Sequence, residues 1–152
     1  MIETKLSSAL VKKFRTVLPH YITFKHPGHV TAGVPDVSTT GDGTTTWFEA
    51  KRLVRWRDAA GTTGPQYLNI QRMAEQGSVY YVVYSDPDNP GEEKSVRIYH
   101  PNAAMMHNGR LHFIEKDALL FAPGHNHLEV VRWVQDLHKS KLMRGFSHAD
   151  TQ

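Results

Sequence analysis

Apolar positions Ile2, Leu6, Leu10, Phe14 and Val17 recur every three or four residues, so the pattern predicts an amphipathic helix over about residues 3–18, ended by Pro19. Residues 21–26, "YITFKH", read as a strand by their aromatic and β-branched content. A hairpin follows, turned at Asp42-Gly43, because a type I′ turn needs positive φ at both centres and Asp-Gly supplies it at little strain. On its second strand Phe48 and Ala50 point one way and Glu49 and Lys51 the other, giving one apolar face and one charged face. After Arg52 a polar, glycine-bearing loop runs to Pro65. A helix opens at Thr63 or Gly64, buries Tyr67, Ile70 and Ala74, and stops at Gly77. Residues 78–85, "SVYYVVYS", form a buried strand.

The rest of the chain is less strongly patterned. A turn-rich connection leads to a strand in "KSVRIYH", and residues 101–107 fit a short helix. Asn126 and Glu129 make a capping-box-like pair at the start of a C-terminal helix over 126–142, with Leu128, Val131, Val134 and Leu137 on one stripe and a frayed tail after Phe146. No internal repeat or low-complexity tract is present.

The hairpin register carries the first chemical inference. A turn at 42–43 places Asp36 directly across from Glu49, with Cβ atoms about 5 Å apart. Two carboxylates so placed repel, unless one keeps a proton or a cation sits between them. A divalent cation is the productive answer, because hard ions such as Mg²⁺ prefer carboxylate oxygens and keep positions for water and phosphate. Lys51, two residues from Glu49 on the same face, is placed to present positive charge to a phosphate or to orient and deprotonate a water. Together these groups suit phosphodiester cleavage. An acid and a lysine two apart are by themselves usually an exposed charged face; the Pro-Asp at hairpin spacing is what changes the balance.

Composition narrows the classes further. The 152 residues (17.3 kDa) are one domain's worth, with a core over about 3–100, an extension over 101–145 and a tail over 146–152. No apolar run is long enough for a membrane span, and the start lacks a signal-peptide core, so a cytosolic location is expected. Zero cysteines exclude disulfides, thiolate metal sites and cysteine nucleophiles, leaving oxygen or imidazole to hold any metal. A net charge of +3 and a pI near 9.2 suit a polyanionic partner. Lys5, Lys12, Lys13, Arg15, Lys25, His26, Lys51, Arg52, Arg55 and Arg57 all lie in the first sixty residues, and Lys139, Lys141 and Arg144 crowd the end. His26 and His29 border the loop into the motif strand, and Trp56 between Arg55 and Arg57 is a cation-flanked aromatic that suits either stacking on a base or capping the core. Spacings His26-x-x-His29 and His125-x-His127 would admit zinc, but without cysteines or a helical glutamate between them they read as surface or phosphate-contacting residues. There is no nucleophile-elbow, Walker or dinucleotide glycine pattern.

The order helix, strand, hairpin, helix, strand, with Pro35-Asp36 and Glu49-Ala50-Lys51 on the hairpin, resembles the PD-(D/E)xK nuclease superfamily over about Glu3 to Ser85. "GVPD", "FEAKR" and a glutamine eleven residues before Gly77 are similar in particular to VRR-NUC domains and to archaeal and phage Holliday-junction resolvases. The resemblance implies an α/β, restriction-endonuclease-like core with a mixed central sheet, a C-terminal helical extension and DNA hydrolysis with Mg²⁺, for which Mn²⁺ substitutes. It implies metal ligation by Glu3, Asp36, Glu49 and the carbonyl of Ala50, Lys51 as the motif lysine, and Gln66 positioning the attacking water or the lysine. Gln71, less than two turns along the same helix, is the alternative to Gln66. Lys25, His26, His29, Arg52, Arg55, Trp56 and Arg57 are the expected DNA contacts. The small chain leaves little room for a sequence-reading module, which favours a structure-selective enzyme acting on junction, branched or flap DNA in a bacterial or phage-infected cell. Symmetrical cutting of two strands needs two sites, hence an expected homodimer with the 126–142 helix as candidate interface. The rivals are a non-catalytic nucleic-acid-binding module on the same fold, and a nuclease directed at RNA.

Overall fold

The computed structural model of the chain describes residues 2–26, 33–54, 58–87 and 93–150. Helix α1 (Ile2–Val17) is followed by β1 (Ile22–Lys25), β2 (Val37–Gly41), β3 (Thr44–Leu53), a two-residue β4 (Ala60–Gly61), α2 (Gly64–Gln76) and β5 (Ser78–Ser85). Then come β6 (Ser95–Tyr99), β7 (Ala104–His107), β8 (Arg110–Phe113), β9 (Leu120–Pro123) and α3 (His127–Asp150). Six strands form a mixed sheet in the order β1-β2-β3-β5-β6-β9, in which β3 and β5 run parallel and the other neighbours antiparallel. The parallel pair is joined through α2, the crossover such a pair requires.

Two cores flank this sheet. On one face α1 and α3 bury Leu6, Leu10, Phe14, Val130, Val131 and Val134 against Phe48, Ala50, Val82 and Tyr84. On the other, α2 and a small sheet ordered β4-β8-β7 bury Ile70, Leu111 and Phe113 against Leu53, Val79, Tyr81 and Val83. β5 is therefore apolar on both sides, as a strand covered on both faces must be. Glu49 and Lys51 alternate out of the first core into the α2 side.

The hairpin has the expected register: Val37 faces Phe48, Thr39 faces Thr46 and Gly41 faces Thr44. Asp42 (φ 51°) and Gly43 (φ 78°) both take the positive φ that a two-residue primed turn demands. Tyr21 donates to the Asp42 carboxylate at 2.7 Å, tying the turn to the end of α1. Thr63 caps α2, its hydroxyl accepting from the Gln66 N–H at 3.2 Å, with Pro65 in the first turn.

Three expectations are corrected. Residues 101–107 are not a helix: Pro101–Ala103 make one 3-10 turn, and Ala104–His107 continue as β7. The stretch 101–123 is accordingly built of strands, with β9 completing the main sheet, and only 127–150 is the helical extension. In α3 the buried positions are Val130, Val131, Val134 and His138, while Leu128 and Leu137 are half-buried, so the inward stripe is rotated relative to the predicted one. His138 took the place of an apolar residue because its Nε2 lies 2.7 Å from Thr46 Oγ1 and its ring stacks on Tyr21, 5.4 Å between centroids. α3 is helical to Asp150.

Candidate active site

Asp36 sits one residue before β2, opposite Glu49 in the continuing register, and His26 extends β1 to it by donating its N–H to the Asp36 carbonyl at 2.7 Å. β2 ends here, but β3 runs on to Leu53, so the β3 backbone on this side has lost its strand partner. Two carboxylates take the partner's place. Asp36 Oδ2 accepts from the Ala50 N–H at 2.8 Å, and Glu3, from the first turn of α1, accepts from the N–H of Arg52. A strand residue's N–H and C=O leave on the same side, so the Ala50 carbonyl also faces this edge.

Glu49 and Lys51 are 3% and 4% exposed, which is unusual for such side chains and demands partners. Lys51 Nζ donates to the Gly61 carbonyl at 2.8 Å and to Gln66 Oε1 at 3.2 Å. Gln66 in turn donates from Nε2 to Glu49 Oε2 at 3.2 Å and accepts from the Thr62 hydroxyl at 2.9 Å. One amide thus bridges acid and base, with its orientation set by Thr62. Helix α2 delivers Gln66 because Thr63 fixes where the helix starts and Gly33 lets the chain before Asp36 pass close to Asn69 on α2. Gly33 has φ 90°, and a Cβ there would run into the Asn69 side chain. Gln71 is elsewhere, donating to the Pro101 carbonyl at 2.8 Å, so of the two glutamines it is Gln66 that lies against Lys51 and Glu49.

Burial pushes the Glu49 carboxyl well above the ordinary range, with the hydrogen bond and negative charge of Asp36 acting in the same sense and Lys51 opposing. Glu3 is raised as well, by partial desolvation first, with Lys51 opposing and Asp36 adding. Asp36 and Glu49 thus stand across from each other as the register implied, each adding negative charge to the other's surroundings. Among the described residues no three Asp, Glu or His side chains converge on one point. What a cation would meet is the carboxylate pair, with the Ala50 carbonyl on the same edge and Glu3 at the rim. That all-oxygen donor set, in which burial and Asp36 raise the Glu49 carboxyl, fits a hard divalent ion.

The expected nucleic-acid contacts divide. His29, Arg55, Trp56 and Arg57 lie outside the described residues. His26 is half-buried, 2.8 Å from Ser38 Oγ through Nε2 and stacked on Trp47 with centroids 5.0 Å apart. Arg52 points away from the Glu49 face and pairs with Asp86, Nε to Oδ2 3.0 Å. Lys25 is tied to α1, donating to Thr4 O at 3.1 Å and Ser8 Oγ at 2.6 Å. Sequence reasoning missed the Gly61 carbonyl and Thr62, which only the fold brings to Lys51 and Gln66. It also missed Tyr81, the strand neighbour of Glu49 in the parallel register; its buried hydroxyl finds no bond among the described residues, and its pKa is raised by burial first and by Glu49 second.

This chain is similar in structure to Archaeoglobus fulgidus Hjc, a Holliday junction resolvase from an archaeal hyperthermophile. The fold is restriction-endonuclease-like. The match has a TM-score of 0.54 at 12% sequence identity and covers 79% of this chain and 94% of the resolvase. No protein-family model matches the sequence, and no curated protein is similar to it by sequence.

Proposed function

We propose that the protein is a divalent-metal-dependent endonuclease that hydrolyses phosphodiester bonds in branched DNA, acting through Asp36, Glu49, Lys51 and Gln66. The observation that carries the reading is the buried chain of contacts Asp36–Glu49–Gln66–Lys51 on a restriction-endonuclease-like sheet. Structural or solvated charges have no need of it, whereas a hydrolytic site needs an acid pair and a fixed cation side by side. Asp36, Glu49 and the Ala50 carbonyl, with Glu3 at the rim, would hold Mg²⁺ or Mn²⁺. Such an ion supplies Lewis acidity to the phosphate and lowers the pKa of water.

The chain's own groups do the rest. Asp36 is held by the Ala50 N–H, which fixes the carboxylate through Oδ2 beside Glu49. Gln66 keeps the Lys51 ammonium from collapsing onto Glu49, because its amide takes up a bond from each. Lys51 can then neutralise charge growing on a non-bridging phosphate oxygen, while water adds to phosphorus and the P–O bond to the leaving strand breaks. Replacing one acceptor of Lys51 with phosphate moves the ammonium little, which is how preorganised charge lowers a barrier. The structural likeness to Hjc, a Holliday junction resolvase, supports a junction as substrate.

The test is cleavage of end-labelled four-way junction, flap, splayed arm, linear duplex and single strand, each as DNA and as RNA, at one ionic strength. Preference for branched DNA is expected. Equal cutting of the linear duplex would remove structure selectivity, faster cutting of the RNA set would reassign the substrate, and binding without cutting of any member would favour a non-catalytic module.

A further inference from the structure

A groove of about 320 Å³ lies between α1 and the edge strand β1, lined by Ser8, Val11, Lys12, Arg15, Thr16 and Lys25. Three of these six carry positive charge, two carry hydroxyls and none is acidic. Through Lys25 the groove reaches the first turn of α1, where Glu3 lies. Lys25 bonds the carbonyl of Thr4, the residue next to Glu3, and from there Ser8, Lys12, Arg15 and Thr16 follow one another along α1.

Its walls are fixed in place. Arg15 donates to the Thr23 carbonyl from Nε at 3.3 Å and from Nη2 at 2.9 Å, occupying the outer edge of β1 where another strand would otherwise pair. Thr16 donates to the Lys12 carbonyl at 2.9 Å, and Lys25 is held by Ser8. Lys12 differs: no hydrogen bond or ion pair holds its ammonium among the described residues, although Arg15 and Lys25 line the same groove. Three positive charges crowded at one groove repel unless an anion is there to receive them.

We propose that this groove is a phosphate-backbone track, receiving the strand that leads away from the bond cut at Asp36 and Glu49, with Lys12 and Arg15 as its phosphate contacts. The proposal rests on the nuclease reading and adds to it a direction for the substrate. From Glu3 to Arg15 is twelve helical residues, about 18 Å at 1.5 Å each. That spans about five phosphates of a B-form strand at 3.4 Å apiece. The flanking strand would thus be gripped along half a helical turn on the α1 side of the sheet, opposite the face that carries Glu49 and Lys51.

The salt dependence of binding tests this directly. Fluorescence anisotropy with a labelled four-way DNA junction, in EDTA to prevent cutting, gives the slope of log Kd against log[KCl] for wild type, Lys12→Gln, Lys12→Glu and Lys116→Gln. Lys116 is exposed and far along the chain in a 3-10 turn, and it serves as the control. One lost phosphate contact is expected to lower the slope by about 0.9 in Lys12→Gln, with Kd weakened several-fold at low salt and more in Lys12→Glu. Lys116→Gln should overlay wild type. Slopes and Kd unchanged in both Lys12 variants, while wild type cuts DNA with Mg²⁺, would overturn the track and leave the nuclease standing. Wild type that neither binds nor cuts would overturn both.

Discussion

Glu49 is held against its own ionisation. Its carboxyl is 3% exposed, beside Asp36, and its pKa in the folded chain lies far above the value of 4.5 for an exposed glutamate. A folded-state pKa raised above the unfolded one means the folded chain binds the proton more tightly. Stability is therefore fullest below pH 4.5 and falls as pH rises from there through the folded pKa. Metal-free Glu49→Gln should consequently melt higher than wild type at pH 8 and lose that advantage near pH 4, by calorimetry; each kcal/mol gained is about 2–4 °C in a domain of this size. The same substitution should abolish cleavage, since the amide neither ionises nor ligates as a carboxylate does. A lower melting temperature for the variant at pH 8 would contradict the strained-acid account. Gln66→Ala should reduce kcat by about 10²-fold, the low end of what a positioned proton-transfer partner contributes, because it releases both Glu49 and Lys51. Gln66→Glu would not rescue it, since a carboxylate cannot donate to Glu49.

At the scale of elements, the site depends on three chain features meeting: the hairpin turn, the cap of α2 and the passage of Gly33 past that helix. The Thr63 hydroxyl that caps α2 bonds the N–H of Gln66 itself, so the cap and the amide bridge are one structure. Thr63→Ala is expected to cost about 1 kcal/mol and to lower activity as well, while Thr63→Ser, which keeps the oxygen, should restore both. Gly33→Ala meets two obstacles, a positive φ of 90° and the Asn69 side chain. Backbone strain of about 1–2 kcal/mol should remain even when Asn69→Ala opens the space, so the double variant should melt below wild type. Full recovery in the double variant would show that the contact alone, without the backbone, dictates glycine. α3 brings its own pH dependence: His127 at its first turn is pushed down to about 4, by burial first and then by His125 and Lys13. A depressed histidine must lose stability as pH falls from 6.5 towards 4, and a urea-midpoint profile of His127→Phe should be flatter than wild type over that interval.

Across the whole molecule, what sequence could and could not show follows from the range of the forces involved. The first half was legible because its signals are local: Asp42-Gly43 fixes a turn, the turn fixes the register, and the register alone places Asp36 across from Glu49. Helix α2 was legible for the same reason, through Thr63, Pro65 and Gly77. Residues 101–123 were not, because β7, β8 and β9 are four-residue strands, too short for a period to declare itself, and their pairing with β4 and β6 is set by distant partners. Single-residue surroundings were hidden where tertiary contact decides: strand alternation turns Arg52 to the face away from Lys51, onto Asp86, a partner 34 residues on. The outer side of α3 keeps Arg132, Lys139, Leu142 and Met143 exposed, and it remains the proposed dimer surface. Light scattering should return twice the 17.3 kDa chain mass, and a monomer at working concentration would count against symmetrical cutting by paired sites.

The central claim is that the acid pair and its bridged lysine form a metal-dependent hydrolytic centre. Cleavage of a labelled four-way junction by wild type, Asp36→Ala and Lys51→Ala, each in Mg²⁺, Mn²⁺ and EDTA, tests it most directly. Cutting by wild type in either metal, none in EDTA, and none by either variant while both stay folded is the predicted result. Cutting that persists in EDTA or survives in Asp36→Ala would contradict it.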